Sequence, residues 1–255
     1  MIRIEDESFS IGVGITTYNR FDRFKVCFES LIANSRDVDE ILIVEDCSNK
    51  DVEKYDEYFK RPFLKNIKIL RHKVNRGVGI SKNDIMQYFI NKNTSYFFTL
   101  EDDMKLLSPD IFKEYVEASI KSGYQYLNFA EHGTMNTTYY VKDVNGVNLK
   151  FYPNIVGSFT LYTPELIKKI GYHDPRFFNA MEHVEYTYRA SKRDLTSRFW
   201  HFADVMNNTQ LIEEQEDSIE DSSIRPREDW GDNVDKGFAL FQEMHGVHVR
   251  DIPGR

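Results

Sequence analysis

The sequence predicts an α/β fold, a mostly parallel sheet flanked by helices on both faces, on the strength of three observations. Short apolar runs rich in β-branched and aromatic residues alternate with amphipathic helical stretches from residue 10 to residue 100. Polar clusters stand where three of those runs end, at residues 17–20, 45–49 and 101–103. The last cluster, Glu101-Asp102-Asp103, puts three carboxylates in a row after the run Tyr96-Phe97-Phe98-Thr99-Leu100. Ligands of open parallel sheets bind beyond the carboxyl ends of the strands, so separate strands aim these clusters at one crevice. Adjacent carboxylates are costly without a cation or donors opposite. Oxygen-rich sites of this kind suit hard divalent cations such as Mg²⁺.

The elements follow in order. Residues 10–17 read as a first buried strand, and Phe24, Cys27, Phe28 and Leu31 recur at helical spacing over about 21–34. A second strand, 40–44, runs into Glu45-Asp46-Cys47-Ser48-Asn49, and a third covers 67–70. Asn75-Arg76-Gly77 opens a helix whose apolar side is Ile80, Ile85, Met86, Phe89 and Ile90, and 96–100 is the fourth strand. Ser108-Pro109 is a helix start. A strand is expected near 124–129, a hairpin around Asn145-Gly146, a strand over 157–162 and a short helix from Thr163-Pro164 to Gly171. Glu182, Glu185 and Arg189 share one helix face, and residues 199–202 resemble a final strand. Residues 207–233 are polar and acidic and read as an extended arm, with 238–241 packing back as a short helix.

Composition sets outer limits. With 255 residues, 41% hydrophobic and 29% charged, the chain is an ordinary globular protein with room for a sizeable core. Its net charge of −8, with six carboxylates between Glu213 and Asp221 and no base among them, argues against a large nucleic-acid footprint. Neither Cys27 nor Cys47 has a metal-site or CxxC spacing. No apolar leader or membrane-length run occurs, so a cytoplasmic location is the expectation.

Four blocks in order resemble the inverting GT-A glycosyltransferases, in particular the family-2-like group, over roughly residues 10–203. Gly14-Ile15-Thr16-Thr17-Tyr18-Asn19-Arg20 is similar to the strand end P-T-Y-N-R, which implies nucleotide contacts from Thr17, Tyr18 and Arg20. Val44-Glu45-Asp46-Cys47-Ser48 is similar to V-D-D-G-S and implies that Asp46 accepts hydrogen bonds from the base or ribose; Cys47 replaces the usual Gly. Asn75-Arg76-Gly77 with Asn83 resembles N-x-G-x-x-x-A-x-N, next to a helix N-terminus suited to a diphosphate. Glu101-Asp102-Asp103 resembles the metal-binding D-x-D. The resemblance makes Asp103 the metal ligand and leaves Glu101 or Asp102 near the ribose or metal water. Further on, residues 177–189 resemble the acceptor-side block F-x-x-x-x-E-D-x-E-x-x-x-R, whose carboxylate deprotonates the acceptor. His183 stands at the usual second acid, so the base is Glu182 or His183. Glu185 pairs with Arg189 by spacing, and His201 is the candidate for a third metal ligand that some relatives supply.

The resemblance therefore implies a GT-A, Rossmann-like domain over 8–204, with a nucleotide-sugar half (10–103), an acceptor-side half (104–204) and an acidic arm over 205–255. The implied reaction is a metal-dependent inverting transfer from a nucleotide-sugar donor, UDP-linked by family frequency, with Mn²⁺ or Mg²⁺ neutralising the departing nucleotide. Glycan, lipid-linked sugar, protein and modified nucleobase all stay open as acceptor, and so does a homo-oligomer. A nucleotidyltransferase would carry a Gly-rich basic loop after the first strand, where this chain has Thr16-Thr17-Tyr18-Asn19-Arg20. A non-catalytic nucleotide-sugar-binding module is the remaining alternative, supported by His183.

Overall fold

The computed structural model describes residues 1–254 except 5, 66, 133–135, 216–221, 223, 224 and 226. A small antiparallel pair, β1 (Ile2–Ile4) and β2 (Glu7–Phe9), precedes the main sheet. The chain then alternates β3 (Ile11–Thr17), α1 (Phe21–Ala33), β4 (Glu40–Glu45), α2 (Val52–Phe59), β5 (Lys68–Arg71), α3 (Val78–Asn91) and β6 (Tyr96–Glu101). These strands are parallel, in the order β5-β4-β3-β6. The chain steps outward from β3 through β4 to β5, then crosses back to the other side of β3. The crevice beyond the strand tips lies where that order reverses. Register brings the tips level, with Thr17 beside Glu45 and Thr16 beside Glu101.

The second half adds β7 (Met104–Leu106), α4 (Ile111–Ser122), β8 (Tyr126–Asn128), the hairpin β9 (Tyr140–Val144) and β10 (Val147–Tyr152), β11 (Phe159–Tyr162), α5 (Pro164–Ile170) and α6 (Glu182–Ser191). Strand β11 joins the main sheet antiparallel between β6 and β8. After α6 come β12 (Phe202–Val205), α7 (Asn208–Leu211), β13 (Ile212–Glu214) and α8 (Trp230–His245).

The sheet is buried on both faces. Phe24, Phe28, Tyr55, Phe112 and Tyr115, from α1, α2 and α4, pack on Val13, Ile15, Phe98 and Leu161. Ile85, Met86, Phe89, Leu166 and Tyr186, from α3, α5 and α6, pack on Leu42, Val44, Phe97 and Tyr162. Helix α3 lies directly on β3 because that strand presents Gly12 and Gly14 to it; a Cβ at either would run into Phe89 or Ile85.

Two expectations are corrected. The strand expected over 199–202 as the last one starts at Phe202, not Phe199, and β13 follows it. Phe199 and Trp200 are drawn into an aromatic cluster with Tyr188 and Phe241, and Trp200 turns the chain at φ 70°. Within the stretch expected to be an arm, Ile212–Glu214 pairs with β7, and residues 230–245 form a four-turn helix instead of a short one at 238–241. Residues 216–221, 223, 224 and 226 of that stretch lie outside the described residues. The helix seats Phe241 against Tyr188 of α6, ring centroids 5.1 Å apart.

Candidate active site

Three strand tips and two helix starts build the site. Arg20, just past β3, spans the acidic turn after β6: one guanidinium nitrogen meets Asp102 Oδ1 and the other donates to Asp103 Oδ2 at 3.0 Å. Thr17 Oγ1 donates to Asp102 Oδ2 at 2.8 Å. Burial pushes the Asp102 and Asp103 carboxyls up, and Arg20 works against that. Burial also opposes charge on Arg20, but the two aspartates outweigh it and keep the guanidinium protonated. Among the described residues Asp103 Oδ1 and Arg20 Nε are left buried without partners.

At the β4 tip, Asp46 organises the loop before α3. Its Oδ1 meets His72 Nδ1 at 2.6 Å and accepts from Arg76 N at 2.8 Å; its Oδ2 accepts from Gly77 N at 2.8 Å and Asn75 Nδ2 at 3.1 Å. His72 reaches Asp84 with its other nitrogen at 2.7 Å. Burial disfavours charge on His72, yet the hydrogen bonds to Asp46 and Asp84 outweigh it and carry the imidazole up to about 9. Gly77 sits at φ 85°, a conformation natural to glycine. Cys47, where the family pattern has glycine, holds the same left-handed region at φ 60°. The substitution therefore keeps the turn at a cost in backbone strain.

A buried lysine ties the two halves together. Lys82, on α3, is 1% exposed and donates to Glu101 Oε1 at 2.7 Å and Gly157 O at 3.0 Å, with Glu182 Oε1 3.7 Å away. Glu182 in turn contacts His183 Nδ1 at 3.1 Å. Burial alone would raise Glu182, but His183 and Lys82 outweigh it and hold the carboxylate ionised, well below the usual range. Glu182 follows Met181, which adopts φ 66°, so the start of α6 is backbone-strained where the candidate pair Glu182–His183 begins.

Two adjoining cavities share Arg20, Val78, Glu101 and Asn179. The smaller, about 50 Å³, is lined by Thr17, Tyr18, Asp46, Asn75, Ser81 and Asp102. Asn75 Oδ1 and Ser81 Oγ lie buried in it without partners among the described residues. The larger, about 520 Å³, carries Asp103, Glu182, His183, His132 and Glu214. The structure thus brings together Thr17, Tyr18, Arg20, Asp46, Asn75, Gly77, Glu101, Asp102, Asp103, Glu182 and His183. It leaves two candidates elsewhere. Asn83 spends its amide on the His173 backbone, accepting from N and donating to O, both at 2.8 Å. His201 lies against Tyr140, Nδ1 to Oη 3.1 Å, and lines neither cavity.

Sequence reasoning missed Lys82, His72, His132 and Glu214. His132 stands 2.6 Å from Glu214 Oε2, and the Glu214 charge acts on Asp103. Gln215 donates its side-chain amide to the carbonyls of Arg23, Asp102 and Met104, which fastens β13 to the acidic turn. Among the described residues no three His, Cys, Asp or Glu side chains stand grouped to hold a metal. The unpartnered Asp103 oxygen nonetheless suits a hard cation that takes its other ligands from phosphate and water.

This fold, with polar strand tips at its switch point, is that of the GT-A nucleotide-sugar transferases. The Glycosyl transferase family 2 model matches residues 12–175, and the chain belongs to that family and is a glycosyltransferase. An "Uncharacterized glycosyltransferase R363" of Acanthamoeba polyphaga mimivirus is 23% identical over 232 residues, 84% of each chain. Among solved structures, S. aureus TarS (14% identity, TM-score 0.53) matches over 71% of this chain and 33% of its own. The mannosyltransferase PcManGT of Pyrobaculum calidifontis, solved with GDP-Man and Mn²⁺, matches at 11% identity and TM-score 0.53 over 73% and 52%. GalNAc-T7, solved with UDP, GalNAc and Mn²⁺, matches at 14% identity and TM-score 0.53 over 71% and 40%. The chain thus spans about a third to a half of those structures.

Proposed function

We propose that this glycosyltransferase moves a sugar from a nucleoside diphosphate donor to an acceptor hydroxyl by one in-line displacement that inverts the anomeric carbon. The observation that carries the reading is the Glu101–Lys82–Glu182–His183 chain, which runs from the acidic strand end to the acceptor-side helix. Glu101, Asp103, Glu182 and His183 all line one cavity, which supports a base and a leaving-group site acting on the same substrate. TarS has also been solved with UDP and with UDP-GlcNAc, which supports a UDP-sugar donor. The smaller cavity marks the nucleotide's edge of the site: Tyr18 offers an aromatic face and Asn75 Oδ1, unpartnered among the described residues, accepts a base N–H. Asp103, with Glu214 alongside, would hold a divalent metal, which supplies charge neutralisation for the departing diphosphate. Arg20 keeps the two aspartates in place and balances their charge.

Between the two candidate bases the geometry favours His183. Glu182 Oε1 is already engaged by His183 Nδ1 at 3.1 Å and faces the Lys82 ammonium at 3.7 Å, which makes it the poorer proton acceptor of the two. Glu182 instead fixes the imidazole through Nδ1, leaving Nε2 without a partner among the described residues to take the acceptor proton. His183→Ala is expected to cut transfer by about 10²–10⁴-fold while UDP still stabilises the protein. Glu182→Gln should lower transfer less. Release of UDP from a UDP-sugar panel, with sugar transfer read in parallel, checks both. Unchanged transfer in His183→Ala assigns the base elsewhere.

A further inference from the structure

Resting on the transfer reading above, we propose that Trp230 is the platform on which a sugar ring of the acceptor stacks, so that the acceptor is a saccharide. The first turns of α8 line the cavity that holds Glu182 and His183, through Trp230 and Val234. Trp230 is 37% exposed there. Among the described residues its ring meets no other aromatic ring or cation, and its indole N–H donates to nothing. The second tryptophan differs in both respects. Trp200 donates to Ile252 O at 3.0 Å and packs against Phe199 and Phe202. An idle indole on the wall of a cavity whose lining is more apolar than polar offers apolar area that a ligand can cover.

The surroundings select the chemistry of that ligand. Side chains of Asn154 and Ser158 line the same cavity and make no hydrogen bond among the described residues, and Arg225 stands on the same wall. A pyranose offers a C–H face that meets the negative face of an indole, and a rim of hydroxyls that donate and accept. An amide, a hydroxyl and a guanidinium match that rim. The hydroxyl that loses its proton to His183 belongs to the same class of group. A lipid tail would leave these polar groups unsatisfied. A nucleobase would use the indole but offers fewer hydroxyls to the wall.

The test labels the protein with 5-fluorotryptophan, which gives two ¹⁹F resonances, and Trp230→Phe assigns them. Methyl glycosides and disaccharides of glucose, galactose, mannose and N-acetylglucosamine are titrated with UDP and Mn²⁺ present, beside adenosine, uridine and a short peptide. The expected result is that a saccharide moves the Trp230 resonance and leaves that of Trp200 in place. In Trp230→Ala the KM for that saccharide as acceptor should rise about tenfold or more. Movement by nucleosides or peptide without any saccharide overturns the proposal. So does a Trp230 resonance that no probe moves in protein that UDP stabilises. Absence of stabilisation by UDP itself strikes the donor reading instead.

Discussion

At the scale of single residues, the balance of charge around Lys82 decides most. A fully buried ammonium is tolerable only because Glu101 and Glu182 face it, and the buried Glu182 carboxylate relies in turn on Lys82 together with His183. Replacing it with methionine keeps much of the volume and strands two carboxylates, one of them 4% exposed. Lys82→Met should therefore cost roughly 3–5 kcal/mol, read as a lower midpoint in urea unfolding. A midpoint within error of wild type would mean that the two carboxylates do not depend on Lys82. Lys82 escaped the sequence reading because a lysine four residues after Val78 resembles an ordinary solvent-facing helix position. Only the approach of Gly157 and the α6 start encloses it.

At the scale of elements, the half up to residue 103 was the legible part. Its strands are continuous apolar runs, its helices have full apolar stripes, and its turns carry Gly77 and clustered polar residues. The rest was hidden for physical reasons. Strands β7 and β13 have three residues each, too few for a period to show, yet their pairing delivers Glu214 to the acidic turn. Helix α8 is interrupted by Gly231 and by Gly237, which lets the helix approach Met181, where a Cβ would come within 2.9 Å of Cγ. The close seat of α3 on β3 gives one element-level prediction. Gly14→Ala forces a methyl into Ile85 and should destabilise by about 1–3 kcal/mol, measured by urea unfolding. A neutral result would show that α3 is not held on the strand.

A second element-level prediction concerns the clamp between the β4 tip and α3. His72 bridges Asp46 and Asp84, with Arg76 also on Asp84 at 3.2 Å. Its folded pKa of about 9 lies above the ordinary value of 6.5. The clamp thus contributes fully below that ordinary value, and its contribution is lost as pH rises through about 9. Between pH 6.5 and 9, wild type should lose stability that His72→Asn does not. Unfolding free energies of the two proteins across that range check it, and parallel curves would show that the clamp is not charged.

At the scale of the whole molecule, the C-terminal segment is part of the site. Its strand fastens the Asp102–Asp103 turn, and its helix walls the cavity that carries Glu182 and His183. The smaller cavity is lined mostly by residues between Thr16 and Asp102 and the larger mostly by residues after Leu100, with Lys82 linking Glu101 to Glu182. The central claim is that this cleft binds a nucleoside diphosphate together with a metal at Asp103. Thermal unfolding of wild type and Asp103→Asn with UDP, with and without Mn²⁺, tests it most directly. UDP plus Mn²⁺ should raise the Tm of wild type by roughly 5–10 °C at a UDP concentration about a hundred times Kd. The rise should be largely lost without Mn²⁺ or in Asp103→Asn. An unmoved Tm for UDP and for other nucleoside diphosphates, or an equal rise in Asp103→Asn, would contradict the account.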